Sequence, residues 1–302
     1  VIFLKFDFEN HILRIFPVII RLLLPPICLD FIDHISSGRI VMLHNAVIEA
    51  MLNHKSIRKY TDETPSDEMI ETVVRAGMQA AFAAQMYSIL LRRNIKGIAW
   101  GAPLEFFICA DSHKMETIMA RRNWTMIAND LSMLLYAIQD AILMAQNMAL
   151  AAESLGLGTC FIGSAPYIAE KIAKEFSLPP RVFPIVSMVM GFPAEDPPPR
   201  PRYPIDFVLF EHKYPEFTGD QITRAMKEMD KGYLAQDYYE KGSFRVELED
   251  GRKDTFANDK YSWTEHISRK WGQWHKSPKP LLNQLAKRGF TIPSERPGKK
   301  KD

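Results

Sequence analysis

His54, Lys55, Ser56 and Arg58 put three basic side chains and a hydroxyl within five residues, in the run HKSIRKY from His54 to Tyr60. Cations and a hydroxyl so placed suit a phosphate, because charge-assisted hydrogen bonds to its oxygens are short and strong. Far downstream, PPPRPRYP (Pro197 to Pro204) sets Arg200 and Arg202 in a rigid Pro-rich frame. Between them lies DAILMAQNMALAAESLGLGTCFIG, Asp140 to Gly163, an apolar helical run that ends in a Gly-rich turn. Taken alone, a basic heptapeptide is a solvated face. A Pro-rich arginine pair alone is an extended surface linker. The order along the chain is basic clamp, apolar helix, Gly-rich turn and second basic pair.

Other chemistries find little support. GLGTCFIG, Gly156 to Gly163, follows a helix, whereas a dinucleotide fingerprint must follow a strand and open a helix. Without further context it is a helix C-cap leading into a strand. There is no HExxH, no GxSxG and no CxxC. The three cysteines, Cys28, Cys109 and Cys160, are far apart, which argues against a zinc or iron–sulfur site. Scattered cysteines fit a reducing cytoplasm. Cys160 reads as a small core residue and Trp263, Trp271 and Trp274 as packing. A net charge of +2 suggests no nucleic-acid partner, and the basic run at 298–301 reads as a solvated tail.

These residues need elements to hold them. At 302 residues and 47% hydrophobic composition, the chain can bury one large core or two smaller ones. Ala46, Val47, Ala50, Met51 and Leu52 recur at helical spacing and lead into the clamp. Ser66 caps a second helix with Ile70, Val73, Val74 and Met78 on one face, and the pattern continues towards Ala80–Ala84. LEFFICAD, Leu104 to Asp111, is a buried strand. Asp130 to Leu155 is a long helix, apolar on most sides, as in a core or an obligate subunit interface. Gly156 and Gly158 end it. A helix over Pro166–Phe176 and a strand within Arg181–Pro193 follow. Helices and strands without regular βαβ repetition predict an α+β fold. Residues 215–302 are more polar and aromatic, and read as a helical appendage with a short hairpin around Glu249–Arg252.

The first forty residues are apolar, but Arg14, Arg21, Pro17, Pro25 and Pro26 interrupt every stretch of about 20 residues that a membrane span needs. No signal-peptide pattern fits either. Gly38-Arg39 can be encoded by a purine run like a ribosome-binding site, which makes Met42 the expected start and residues 1–41 an upstream leader. The alternative is an extra apolar segment packed on the body.

Together these segments resemble the FMN-dependent nitroreductase family. Its early motif is roughly Arg-Arg-Ser-x-Arg-x-Phe, which stands here as His54, Lys55, Ser56, Ile57, Arg58, Lys59 and Tyr60. The resemblance implies that His54, Lys55, Ser56 and Arg58 contact the FMN phosphate, ribityl chain and pyrimidine edge. It also implies that Arg200 and Arg202 are the closing basic pair. The Gly-rich turn would lay the Ile162 and Gly163 amides against the flavin ring, the Ile162 N–H near N5. Backbone donors there stabilise a reduced, anionic ring. Ala80 to Ser88 matches the family's Pro-Ser-x-x-Asn-x-Gln-Pro-Trp weakly. Gln85 takes the place of the Asn, as a polar contact to the partner subunit's flavin. The chain departs from the pattern at His54, where arginine is usual, and in the missing Pro, second Gln, Pro and Trp.

The implied fold is α+β, with an antiparallel-rich central sheet flanked by helices in an intertwined homodimer. Residues 42–214 would be the FMN-binding domain. Residues 215–302 would fall outside the family core and wrap the partner. The implied activity is ping-pong hydride transfer from NADH or NADPH through FMN to a small nitroaromatic, quinone or related acceptor. It needs no catalytic side chain and no metal, and no membrane or nucleic acid enters. Reductive dehalogenation, flavin fragmentation and a non-catalytic flavin-binding module remain alternatives on the same motifs.

Overall fold

Short apolar runs and two well-capped helices dictate the core. The computed structural model describes residues 43–292. The expected leader 1–41, the start at Met42 and the basic tail at 298–301 lie outside the described residues. The described residues divide into two units, one ending at Glu49 and the other beginning at Ala50. The Asn45 side chain accepts from the Ile48 amide (2.9 Å), which starts helix α1, Ala46–Leu52.

In the second unit, Ser66 caps helix α2, Asp67–Met78, by accepting from the Met69 amide, with Asp67 and Glu68 in the first turn. Both features favour a helix start. The expected continuation to Ala84 does not occur. The Asp140 carboxylate instead accepts from the amides of Ala83 (2.6 Å), Ala84 (3.0 Å) and Met86 (3.0 Å). A helix would have turned those donors back on its own carbonyls.

Strands β1 (Tyr87–Arg93), β2 (Leu104–Asp111), β3 (Gly158–Ile162) and β4 (Val182–Gly191) form an antiparallel sheet in the order β1-β2-β4-β3. β2 matches its expected limits, and β4 falls within the expected Arg181–Pro193. β1 escaped the sequence reading because its half-buried side chains show no clean alternation. Helix α3, His113–Arg121, also went unread; it carries no buried residue. Helix α4, Asp130–Ser154, covers one face of the sheet with α2. There Ile70, Val73, Met144 and Met148 pack with Phe106, Ile108 and Met188. The expected Pro166–Phe176 helix opens instead as a 3-10 turn, Ala165–Ile168, then continues as α5, Ala169–Glu175. α4 is the one helix among the described residues long and apolar enough to cross a membrane, and half of its apolar window is buried inside the chain.

The C-terminal segment is helical: α6 (Gly219–Leu234), α7 (Tyr238–Gly242), α8 (Trp263–Gly272) and α9 (Lys279–Lys287). The expected hairpin around Glu249–Arg252 is absent, since no strand occurs among described residues 215–292. Arginine side chains do the work of a ladder. Arg269 donates to the Val246 carbonyl (3.0 Å) and to Asp254, and Arg245 donates to Asp254 and the Phe256 carbonyl (2.7 Å). The paired guanidiniums hold the Asp254 carboxyl well below the usual carboxylate range. Leu285 and Phe290 bury themselves with Met86, Ala110, Met133 and Phe183. Residues 279–292 therefore pack on their own chain.

Gly77 lets α2 and α4 approach closely: an added Cβ would sit 2.5 Å from Met148 Cγ and 3.1 Å from the Met144 carbonyl oxygen. Gly77→Ala is expected to lose about 1–3 kcal/mol in urea unfolding through overpacking, despite alanine's better helix propensity. A gain in stability would show that the two helices separate freely.

Candidate functional site

The clamp is fastened along β3 and the exit of β4 by its backbone. The Ile57 amide donates to the Thr159 carbonyl (2.9 Å) beside a parallel bridge between Ser56 and Thr159. Further on, Thr61 donates to the Phe192 carbonyl and Ala194 to the Lys59 carbonyl, both at 2.9 Å. This approach requires glycine at 158, where a Cβ would lie 2.5 Å from Ile57 Cγ1. His54, Lys55, Ser56 and Arg58 thus meet the Gly-rich strand in space, as their order along the chain suggests. Ile162 shares a cluster with Tyr60, Ile98, Ala102, Cys160 and Val189. Gly163 follows it on the surface, and a Cβ built there meets nothing within 4 Å.

Three acids missed by the sequence reading line this site. His54 Nδ1 lies 2.6 Å from Glu153 Oε1. Lys55 pairs with Asp196, and the Arg58 amide donates to Glu195 (2.5 Å). Glu153 is at the end of α4, and Glu195 and Asp196 follow β4. Nothing in their sequence spacing marks them, because only the fold brings those ends to the clamp. The clamp is therefore charge-balanced rather than purely basic. A cavity of about 250 Å³ opens here, lined by Lys55, Ile57, Glu153, Gly158, Glu195 and Asp196. A larger one, about 810 Å³, lies within the C-terminal segment around Asp254 and Arg269, away from any residue of the clamp.

The Arg58 guanidinium stands over the exposed Trp100 ring, 5.5 Å from its centroid. Trp100 has φ +54° on a turn whose neighbours Ile98 and Ala102 are buried beside Cys160. A left-handed tryptophan is rare and is kept only where its surroundings impose it. Burial pushes the Cys160 thiol up, against the opposing pull of Arg58 and the Ser56 side chain. Burial likewise raises the Tyr60 hydroxyl, which donates to the Ile57 carbonyl (2.6 Å).

The remaining expected residues stand apart. Gln85 is exposed with φ +53° on the loop whose amides Asp140 holds. Arg200 donates to Gln236 Oε1 (2.6 Å) and stacks 3.9 Å from the Tyr238 ring centroid. Arg202 donates to the Arg200 (2.9 Å) and Pro201 (3.1 Å) carbonyls. No hydrogen bond or ion pair among the described residues joins Gln85, Arg200 or Arg202 to the clamp. No group of His, Cys, Asp and Glu among the described residues has the arrangement of a metal site.

Residues 90–192 match the profile of the Nitroreductase family. An FMN reductase (NADPH) of Bacillus subtilis is 30% identical over 263 residues, covering 82% of this chain and 98% of the relative. An oxygen-insensitive NADPH nitroreductase of Salmonella typhimurium is 29% identical, covering 80% of this chain and 97% of its own length. Among solved structures, NfrA2 of B. megaterium superposes with a TM-score of 0.69 at 26% identity, covering 83% of this chain and 100% of that one. The NADPH:FMN oxidoreductase of Vibrio harveyi, solved with NAD+, gives 0.64 at 27%, covering 82% and 99%. The α+β fold with its antiparallel sheet is that of the nitroreductases, and the chain belongs to the nitroreductase family of oxidoreductases. The 82% match exceeds the share that residues 1–214 make up. The likeness thus runs into the C-terminal segment, which the sequence reading had placed outside the family core.

Asp140→Ala should strand three backbone donors and cost about 2–4 kcal/mol in urea unfolding. Hydrogen exchange at Ala83, Ala84 and Met86 should accelerate more than exchange in β2. Unchanged protection there would show that the carboxylate does not hold the loop.

Proposed function

We propose that this nitroreductase-family oxidoreductase binds FMN and oxidises NAD(P)H to reduce small acceptors such as nitroaromatics and quinones. The observation that carries this reading is the joining of the clamp to β3 by the Ile57–Thr159 hydrogen bond, which sets Ser56 and Arg58 beside the Gly-rich strand. The relatives' names add FMN, and NADPH as donor. The residues present fit a flavin phosphate and ring. Arg200 and Arg202 have no carboxylate partner among the described residues, and the open space at Gly163 lets a flat ring approach the backbone. Bound FMN supplies the two-electron chemistry that no side chain here offers.

The chain's part is binding and orientation. His54, Lys55, Ser56 and Arg58, with Arg200 and Arg202, hold the phosphate and ribityl chain, and the Ile162 and Gly163 amides face the ring. Lys55 must leave Asp196 to take up that role; their contact is solvent-exposed on the acid's side, so little holds it. Gln85 reaches the flavin of a partner subunit. The enzyme works in the cytoplasm as a homodimer. Its subunit face is α4, where Leu131, Leu135, Tyr136, Ile142 and Leu143 are exposed together. A patch of that kind on one helix calls for a cover.

Purified protein is expected to be yellow with oxidised-flavin absorption, bleached by NADPH and restored by a nitroarene or quinone. A colourless preparation that takes up no added FMN would sink the reading. Bleaching without re-oxidation by any acceptor would favour a flavin-binding module instead. Light scattering should give a dimer, and a monodisperse FMN-loaded monomer would refute the α4 interface.

A further inference from the structure

The geometry points to a role for the C-terminal segment within its own chain: Gly232 and Gln236 position Arg200 and Arg202 for the FMN phosphate and leave both cations uncompensated. The inference rests on the FMN reading above.

The Pro-rich frame is gripped residue by residue. Helix α6 lies against it at Gly232, where a Cβ would fall 2.5 Å from Pro201 Cγ and 2.9 Å from Pro201 Cβ. Glycine is a poor helix former, and here it sits inside a 16-residue helix. The close approach of Pro201 accounts for it. Just beyond the helix, the Gln236 amide works in both directions. Its Nε2 donates to the Pro199 carbonyl (2.9 Å), and its Oε1 accepts from Arg200 Nη1 (2.6 Å). The Arg200 guanidinium also lies on the Tyr238 ring, and Tyr203 packs edge-on against Trp263 with centroids 5.4 Å apart. Pro199, Arg200, Pro201 and Tyr203 are thus each fixed from the C-terminal segment. Arg202, between the last two, is exposed and, among the described residues, hydrogen-bonds only to backbone carbonyls of the frame.

The charge pattern supports a purpose beyond packing. Arg224, Arg245, Arg252 and Arg269 in the same segment have carboxylate partners, and Arg288, buried, is held by the Leu178 and Val182 carbonyls. Arg200 and Arg202 have none among the described residues. Residue 236 makes the same contact to Arg200 that a glutamate would, yet it is a glutamine and carries no charge. A neutral acceptor orients a guanidinium without cancelling it, which is what an anion site needs.

The test is titration of FMN and of riboflavin, which lacks the phosphate, into the flavin-stripped full-length chain. Wild type is compared with Arg202→Ala, Gly232→Ala and Gln236→Glu. The readout is the ratio of the two affinities. Arg202→Ala should lower the FMN preference by about 10-fold or more, the scale of one charge-assisted contact. Gly232→Ala and Gln236→Glu should each lower it by a similar factor while riboflavin binds as in wild type. If Gly232→Ala fails to fold, Gln236→Glu decides. Loss in Arg202→Ala with a wild-type ratio in the other two would overturn the positioning role and leave the FMN reading standing. Equal loss of FMN and riboflavin in those two would also overturn it, because the segment would then support the fold at large. An unchanged ratio in Arg202→Ala would remove the phosphate assignment, and this inference with it.

Discussion

The hydrogen bond from the Ile57 amide to the Thr159 carbonyl is the join on which the site depends. It draws a segment from the start of the second unit onto a strand about a hundred positions later in the sequence. Gly158 makes it possible, because any side chain there would displace Ile57. Through this join the clamp follows β3, and its later residues pair with the exit of β4. A one-residue slip would exchange the faces of the clamp side chains. The buried Ile57 fixes the register, and with it the direction in which Ser56 and Arg58 are presented.

Charge is handled in two ways in this chain. In the clamp, His54 meets Glu153 from the end of α4 and Lys55 meets Asp196 from beyond β4, while Glu195 takes the Arg58 backbone amide, so acids stand among its like charges. The Arg200–Arg202 frame does the opposite: neutral partners orient it and its charge is retained. Pre-organised charge avoids reorganisation when an anion binds, whereas paired charge keeps the unliganded protein stable.

Much of the fold was legible in local chemistry. Ser66 marked its helix start, and the mostly apolar run Leu104–Ala110 in β2 marked a strand buried on both faces. β1 was hidden, because half-burial on both faces leaves neither alternation nor a continuous apolar run. The end of α2 was hidden for another reason. Ala80–Ala84 favours a helix locally, but Asp140 claims the amides, and a buried carboxylate outbids helix propensity worth only tenths of a kcal/mol per residue. The hairpin expected around Glu249–Arg252 does not form, because side-chain guanidiniums, not strand pairing, hold the backbone on either side of it.

The sequence by itself determined the residue types of the site, their order, and the glycines that let backbones meet. These are properties of single side chains and short spacings. Only the tertiary structure decided which charges face one another. Glu153, Glu195 and Asp196 reach the clamp because two element ends converge there, and Gln236 reaches Arg200 because α6 packs on Pro201. Electrostatic partnership depends on distance in space, and distance along the chain carries almost no information about it.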